Sequence, residues 1–323
     1  MLAQHKVSTL VQSRYGNKFR ARNTPKSGTL ILTLRHVQFS KPASGLEDFV
    51  RFYVQRKLLI TSSAITHPVP ARPTPMIVFD FGDPVEMLLI NRAIRFKSPP
   101  AVVVGPTTHR RGEMLLHGTV NEFGIVFQPD GLQRLFSLPT HELTDVACDV
   151  HGILGPRVSQ LWQILGNLSF FEERVLVVNE FLFRQAVRSE PTNAISMAVS
   201  HVMQMRGCID IAVLADAAGM SPRHLARRFI DSVGMRPKLF ARIVRFQAAL
   251  ESKALHSGRS WTDVAHEFRY FDQMHMIHDF EQLAGGSPKE MLTHLETVFV
   301  EEIKRIRSNG AAAASVSDAR LML

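Results

Sequence analysis

The side chains with the most chemical promise fall in two short stretches of the last third of the chain. One reads Ser221-Pro-Arg-His-Leu-Ala-Arg-Arg228, the other Asp272-Gln-Met-His-Met-Ile-His278. If Leu225 and Phe229 form the buried stripe of a helix, Arg223, Ala226, Arg227 and Arg228 are left on its other side. With Met276 and Phe280 as the stripe, Gln273, Met274, His275 and His278 are left in the same way. Arg can form two hydrogen bonds to guanine and Gln two to adenine, so these residue types suit the major groove of DNA. Ser221 and Asp272 stand where N-caps belong, and a capped N-terminus offers backbone N–H groups and a positive dipole end to phosphate. Arg228 adds a further cation for the same purpose. The competing assignment is a solvated polar face of a helical bundle, and recurrence of the whole pattern decides against it.

Catalytic chemistry finds less support. The chain has no Gly-x-Ser-x-Gly elbow, phosphate-binding loop or dinucleotide glycine set, so no catalytic residue and no cofactor is assigned, and the expectation is a protein that is not an enzyme. Cys148 and Cys208 stand alone, without zinc or redox spacing. His109, Glu113 and His117 could suggest a metal site. On a strand, four-residue spacing separates ligands by about 13 Å, so they read as scattered surface residues and no metal is expected. No uninterrupted apolar run reaches the roughly 18 residues of a membrane span.

The elements that must hold the two stretches are themselves repeated. Leu225, Phe229, Gly234 and Pro237 recur as Met276, Phe280, Gly285 and Pro288 at an offset of 51, whereas Leu214-Ala215 recurs as Val264-Ala265 at an offset of 50. One residue is therefore inserted in the turn of the second copy. In the first copy, Asp210 caps a short helix, Gly219 supplies a turn with positive φ, and Pro222 opens a second helix at N1. This is a helix-turn-helix plan, expected over about 210–231 and again over about 261–283, with an amphipathic linker helix over about 238–255. Two such helices on a rigid linker can enter successive major grooves roughly 34 Å apart.

Upstream, Thr29–Val37, Met76–Phe81, Glu86–Asn91, Ala101–Gly105 and Gly118–Gln128 read as short strands of an antiparallel barrel or sandwich. Helical periodicity takes over from about residue 130. The polar stretch Ser189–Asn193 marks a boundary. The expected division is a basic arm over 1–28, a β domain over 29–190, a helical domain over 193–300 and a tail over 301–323.

The 323 residues, 45% hydrophobic and 21% charged, suffice for two such domains, so the fold class is α+β. The net charge of +9 is unevenly spread: residues 1–41 hold eight Lys/Arg and no acid, residues 206–259 carry +6 and residues 260–300 carry −5. Phe79, Phe81, Phe123 and Phe127 alternate on strands, either as plain core or as the lining of an apolar effector pocket.

Ile211-Ala-Val-Leu-Ala-Asp-Ala-Ala-Gly-Met-Ser-Pro-Arg-His-Leu-Ala-Arg-Arg-Phe229, followed by Gly234-Met-Arg-Pro237 and Arg242-x-x-Arg245, resembles the first half of the AraC/XylS-type DNA-binding domain. Tyr270-Phe-Asp-Gln-Met-His-Met-Ile-His-Asp-Phe280 with Gly286-Ser-Pro288 resembles its second half. Ile77–Asp83, Val104–Pro106 and Gly124–Leu132 resemble, more weakly, the cupin-like sensor domain that precedes it in many members.

The resemblance implies a sequence-specific transcription regulator in the bacterial cytoplasm, associated with the nucleoid through double-stranded DNA. Base or phosphate contacts would fall on Arg223, Ala226 and Arg227 and on Gln273, Met274, His275 and His278. The sensor or dimerisation domain in front leaves room for an effector of unspecified chemistry, RNA polymerase and a second copy of the chain as partners, with no membrane. Two positions depart from the family pattern: Arg269 stands where Gly is usual, and His278 where Arg is usual.

Overall fold

The computed structural model describes residues 32–90, 94–189 and 191–298. The basic arm expected over 1–28 and the tail over 301–323 lie outside the described residues. The N-terminal part is an antiparallel sheet of β1 (Leu32–Ser40), β2 (Val50–Val69), β3 (Met76–Asp80), β4 (Glu86–Leu89), β5 (Ile94–Lys97), β6 (Ala101–Val104), β7 (Gly112–Phe127) and β8 (Ala147–Asp149). Its order is β1-β2-β7-β3-β6-β8, with the β4–β5 hairpin branching from β7. The helices are α1 (Gly131–Phe136), α2 (Thr140–Leu143), α3 (Val150–Leu154), α4 (Pro156–Gly166) and α5 (Phe171–Ala186). After the polar break follow α6 (Ala194–Gln204), α7 (Ile211–Ala217), α8 (Pro222–Val233), α9 (Pro237–Leu255), α10 (Trp261–Glu267), α11 (Gln273–Ala284) and α12 (Pro288–Val298). The architecture is the expected α+β one, an antiparallel sheet domain followed by a helical region.

The long strand β2 is the main element that the sequence reading lacks. Its neighbouring residues enter different cores: Phe52 and Val54 pack with Met76, Val126 and the C-terminal helices, whereas Val50 and Tyr53 pack with Phe79, Phe123 and helices α1, α4 and α5. A strand covered on both faces loses the apolar–polar alternation that marks a half-exposed one. The sheet is thus a middle layer. On one side of it, Phe79, Phe123 and Phe127 are wholly buried core, and Phe81 stacks on Trp162 with ring centroids 6.4 Å apart.

Strand β7 also begins earlier than the expected Gly118. Gly118 sits at φ 59°, next to a register shift between Ile60 and Ile65 of β2, and these irregularities bend the ribbon without ending it. Among the described residues, no helix is long and apolar enough to cross a membrane.

Candidate nucleic-acid interface

In the first unit, the Asp210 carboxylate accepts from Ala212 N at 2.6 Å and starts α7, whose Leu214 and Ala215 are buried. Gly219 turns the chain at φ 64°, and the Ser221 hydroxyl accepts from His224 N at 3.3 Å to start α8. Leu225, Phe229 and Val233 form the buried stripe, with the Phe229 ring edge-on to Phe240 of α9 at 5.2 Å. That packing leaves Arg223, Arg227 and Arg228 exposed and Ala226 half-buried, and among the described residues none of the three arginines forms an ion pair. Their guanidinium groups keep all their donors for a ligand.

The second unit repeats the construction. Ser260 and Asp263 form a reciprocal capping box at 3.0 Å in both directions, starting α10. Arg269 occupies the place of Gly219 and is held at φ 53°. Asp272 accepts from His275 N at 2.7 Å and starts α11, with Met276, Phe280 and Leu283 buried beneath it. The Phe280 ring lies edge-on to Phe246 of α9 at 4.7 Å.

The predicted contact residues of this unit are less free than those of the first. Gln273 Oε1 accepts from the Thr262 hydroxyl at 3.0 Å. His278 Nε2 accepts from Gln282 Nε2 at 2.7 Å, and His275 is turned back on its own unit, taking the Phe271 N–H at 3.4 Å and meeting the Tyr270 ring edge-on at 5.6 Å. Met274, by contrast, is 69% exposed.

What seats the second helix is an ion cluster that pattern reading leaves as solvated charge. Asp279 is 2% exposed; its Oδ1 accepts from Arg242 Nη2 at 2.6 Å and its Oδ2 from Arg245 Nη2 at 3.2 Å. Arg245 also lies over the Tyr270 ring, 4.3 Å from its centroid. The sequence signal was present in the Arg242-x-x-Arg245 spacing, but nothing in the sequence identified the acid facing it. Between the units, a cleft of about 700 Å³ is lined by Asp210, Lys238, Arg242, His275, His278 and Gln282, among others. Upstream, two residues of the weighed metal constellation have other partners: Glu113 accepts from Arg110 Nη2, and His109 Nδ1 lies 3.8 Å from Asp145.

Residues 214–294 match the family described as Helix-turn-helix domain, and residues 38–149 match a Domain of unknown function (DUF6597). No curated protein matches the chain in sequence. Similar solved structures include ToxT from Vibrio cholerae O395, 10% identical over 75% of this chain and 98% of that one, with a TM-score of 0.44. Another is unsaturated fatty acid bound wild-type ToxT from Vibrio cholerae strain SCE256, 11% identical over 85% of this chain and 99% of that one, with a TM-score of 0.44. A third is the AraC-like transcriptional activator CuxR, 10% identical over 66% and 86% of the two chains, with a TM-score of 0.26. The helix-turn-helix match begins within α7 and ends within α12, taking in both capped helices α8 and α11 and the helix that joins them, and it supports a DNA-binding transcription regulator with an antiparallel sheet domain in front.

Proposed function

We propose that the chain binds a bipartite DNA site, with α8 and α11 in successive major grooves on one face of the duplex. Arg223, Ala226 and Arg227 read bases in the first segment; Gln273, Met274 and His278 meet the second, with His275 at its edge. Ser221 and Asp272 present the capped helix ends to phosphates, and Arg228 adds a cation there. The observation that carries this reading is the pair of equally capped helices on one linker helix, with the arginines of the first exposed and unpaired. The chain then acts by binding in the cytoplasm rather than by catalysis. In this reading residues 193–300 form the DNA-binding module and residues 29–190 the regulatory one.

The regulatory module also supplies the surface for a second copy. Leu176 and Phe183 of α5 and its C-cap Val187, spaced seven and four residues apart along one line, are 69%, 39% and 86% exposed. Leu176→Glu is expected to move the sedimentation of the full chain towards monomer. RNA polymerase and a small-molecule effector are the remaining partners of this reading.

The test is selection of random double-stranded DNA by the full chain. Two preferred blocks about one helical turn apart are expected. Enrichment of no sequence, or of a single short block, would remove the bipartite reading.

A further inference from the structure

The two recognition helices occupy one place in the repeat and present opposite chemistry. The N-caps Ser221 and Asp272 and the C-caps Gly234 and Gly285 fix their register at an offset of 51. Arg223, Ala226 and Arg227 therefore correspond to Met274, Ile277 and His278. The first set carries two guanidinium groups. The second carries a thioether, a branched alkyl group and an imidazole already engaged by Gln282. No Arg or Lys occurs anywhere in α11, so guanine's two major-groove acceptors lack their usual donor there. The Thr262 hydroxyl on Gln273 Oε1 competes with an adenine amino group for the same atom.

The backbone also identifies the inserted residue of the second copy. Met220 N donates to Ala215 O at 3.0 Å and Tyr270 N to Ala265 O at 2.9 Å, an offset of 50 that precedes the caps' offset of 51. The extra residue is Phe271, directly before the N-cap Asp272, and it is 88% exposed. Together with Met274 at 69% and the half-buried Ile277, it gives the leading end of α11 an apolar surface where the first unit has arginines.

We infer that the second unit reads thymine through its C5-methyl group, with Met274 and Ile277 against methyls in the major groove and Phe271 as an apolar prong at the edge of the site. The inference rests on the bipartite DNA reading above. The thymine methyl is the apolar feature among the base edges of the major groove, and apolar side chains recognise it by contact. A protein surface would also cover exposed apolar side chains. DNA is the occupant favoured here because these positions share the repeat register of the arginine-bearing face, beside a capped helix N-terminus.

The experiment uses the full chain and the DNA site that it selects. Each thymine of the second block is replaced by deoxyuridine, which deletes only the methyl. Thymine should be enriched in that block, and each contacted methyl removed should weaken binding about fourfold, the value of one buried methylene-sized group. The penalty at the thymine facing Met274 should disappear in Met274→Ala while the penalty at the thymine facing Ile277 remains, and uridine in the first block should change affinity less than twofold. Unchanged affinity on uridine substitution, with a first block that still depends on Arg227, would overturn the methyl reading and leave the DNA reading standing. Binding without any sequence preference would overturn both. Phe271→Ala and Met274→Ala variants that keep affinity and thymine preference yet lose transcriptional output would also overturn it, moving the apolar surface to a protein partner.

Discussion

The Thr144 hydroxyl of the sheet domain donates a 2.7 Å hydrogen bond to the carbonyl of Gly234, the residue that ends the first recognition helix. The repeat-related Gly285, which ends the second, accepts from Arg110 Nη1 of the same domain at 3.2 Å. Close by, Ala71 N donates to Leu283 O at 2.8 Å. One domain thus holds the C-terminal ends of both helices, α8 and α11, and fixes the spacing between them.

Gly234 tests this contact. It sits at φ 84°, and a Cβ there would stand 2.4 Å from Thr144 Oγ1 and 3.0 Å from Thr140 O. Gly234→Ala should cost about 2 kcal/mol or more, from backbone conformation and collision together. Thr144→Val, which removes only the donor, should cost about 1 kcal/mol. Urea unfolding of the full chain measures both, and equal losses would contradict the assignment of a steric role to Gly234.

Asp279→Asn removes the charge that two arginines share. The carboxylate is buried while Arg242 and Arg245 keep partial access to water, 31% and 17% by side chain. The cost should be about 2 to 3 kcal/mol, below the full range for a wholly buried pair. Affinity for the second DNA block should fall with it, because α11 loses its fixed seat on α9. Stability and block-two affinity that both stay at wild-type values would show that the cluster positions nothing.

Arg269 and Gly219 make a matched pair at the two turns, at φ 53° and 64°. Arg269→Gly should stabilise the chain by about 0.5 to 1 kcal/mol, and Gly219→Ala, which meets no atom within 4 Å, should cost a similar amount through backbone conformation alone. Denaturant midpoints that shift in the same direction for both substitutions would contradict this.

The helical repeat was legible because its signals are local: a cap, a glycine or its stand-in, and an apolar stripe each act within one turn of chain. The offset change from 50 to 51 announced an insertion, but only the backbone bonds of Met220 and Tyr270 identify it as Phe271. The polar break at Ser189–Asn193 was equally visible. It gave no hint that Val37, Phe52, Val54 and Met76 share a core with Phe240 and Phe246 across it. Strand β2 was hidden because both its faces are covered, and because buried polar residues interrupt its apolar run. In the structure Gln55 is buried and accepts from Arg174 Nη1 at 2.7 Å, while Arg56 Nε donates to Glu122 at 2.8 Å. Pairings between residues this far apart leave no periodic trace.

His67, near the end of β2, is buried and donates Nδ1–H to the Pro68 carbonyl at 2.8 Å. Burial, with the Arg56 charge adding to it, lowers its pKa from 6.5 to about 4. The unfolded chain therefore binds this proton first as the pH falls, so stability drops between about pH 6.5 and pH 4, by up to roughly 3 kcal/mol. Asp80, raised by burial to about 6, acts in the opposite direction over an overlapping range. Comparing wild type with His67→Gln cancels the Asp80 contribution. The stability difference between the two proteins should shrink as the pH is lowered from 7 to 4, and a constant difference would exclude His67 as the source.

Base reading by the unpaired arginines of α8, with a smaller contribution from the second unit, follows from the proposed DNA site. It is tested most directly by titrating the selected operator and a scrambled duplex with wild type, Arg227→Ala and His278→Ala at one salt concentration near pH 7.5. Arg227→Ala should cost about 1 to 3 kcal/mol on the operator and relax preference at one position of the first block. On the scrambled duplex it should change little, and His278→Ala should cost less than Arg227→Ala on the operator. Equal losses for the two variants, or an Arg227→Ala loss of the same size on operator and scrambled DNA, would contradict the account.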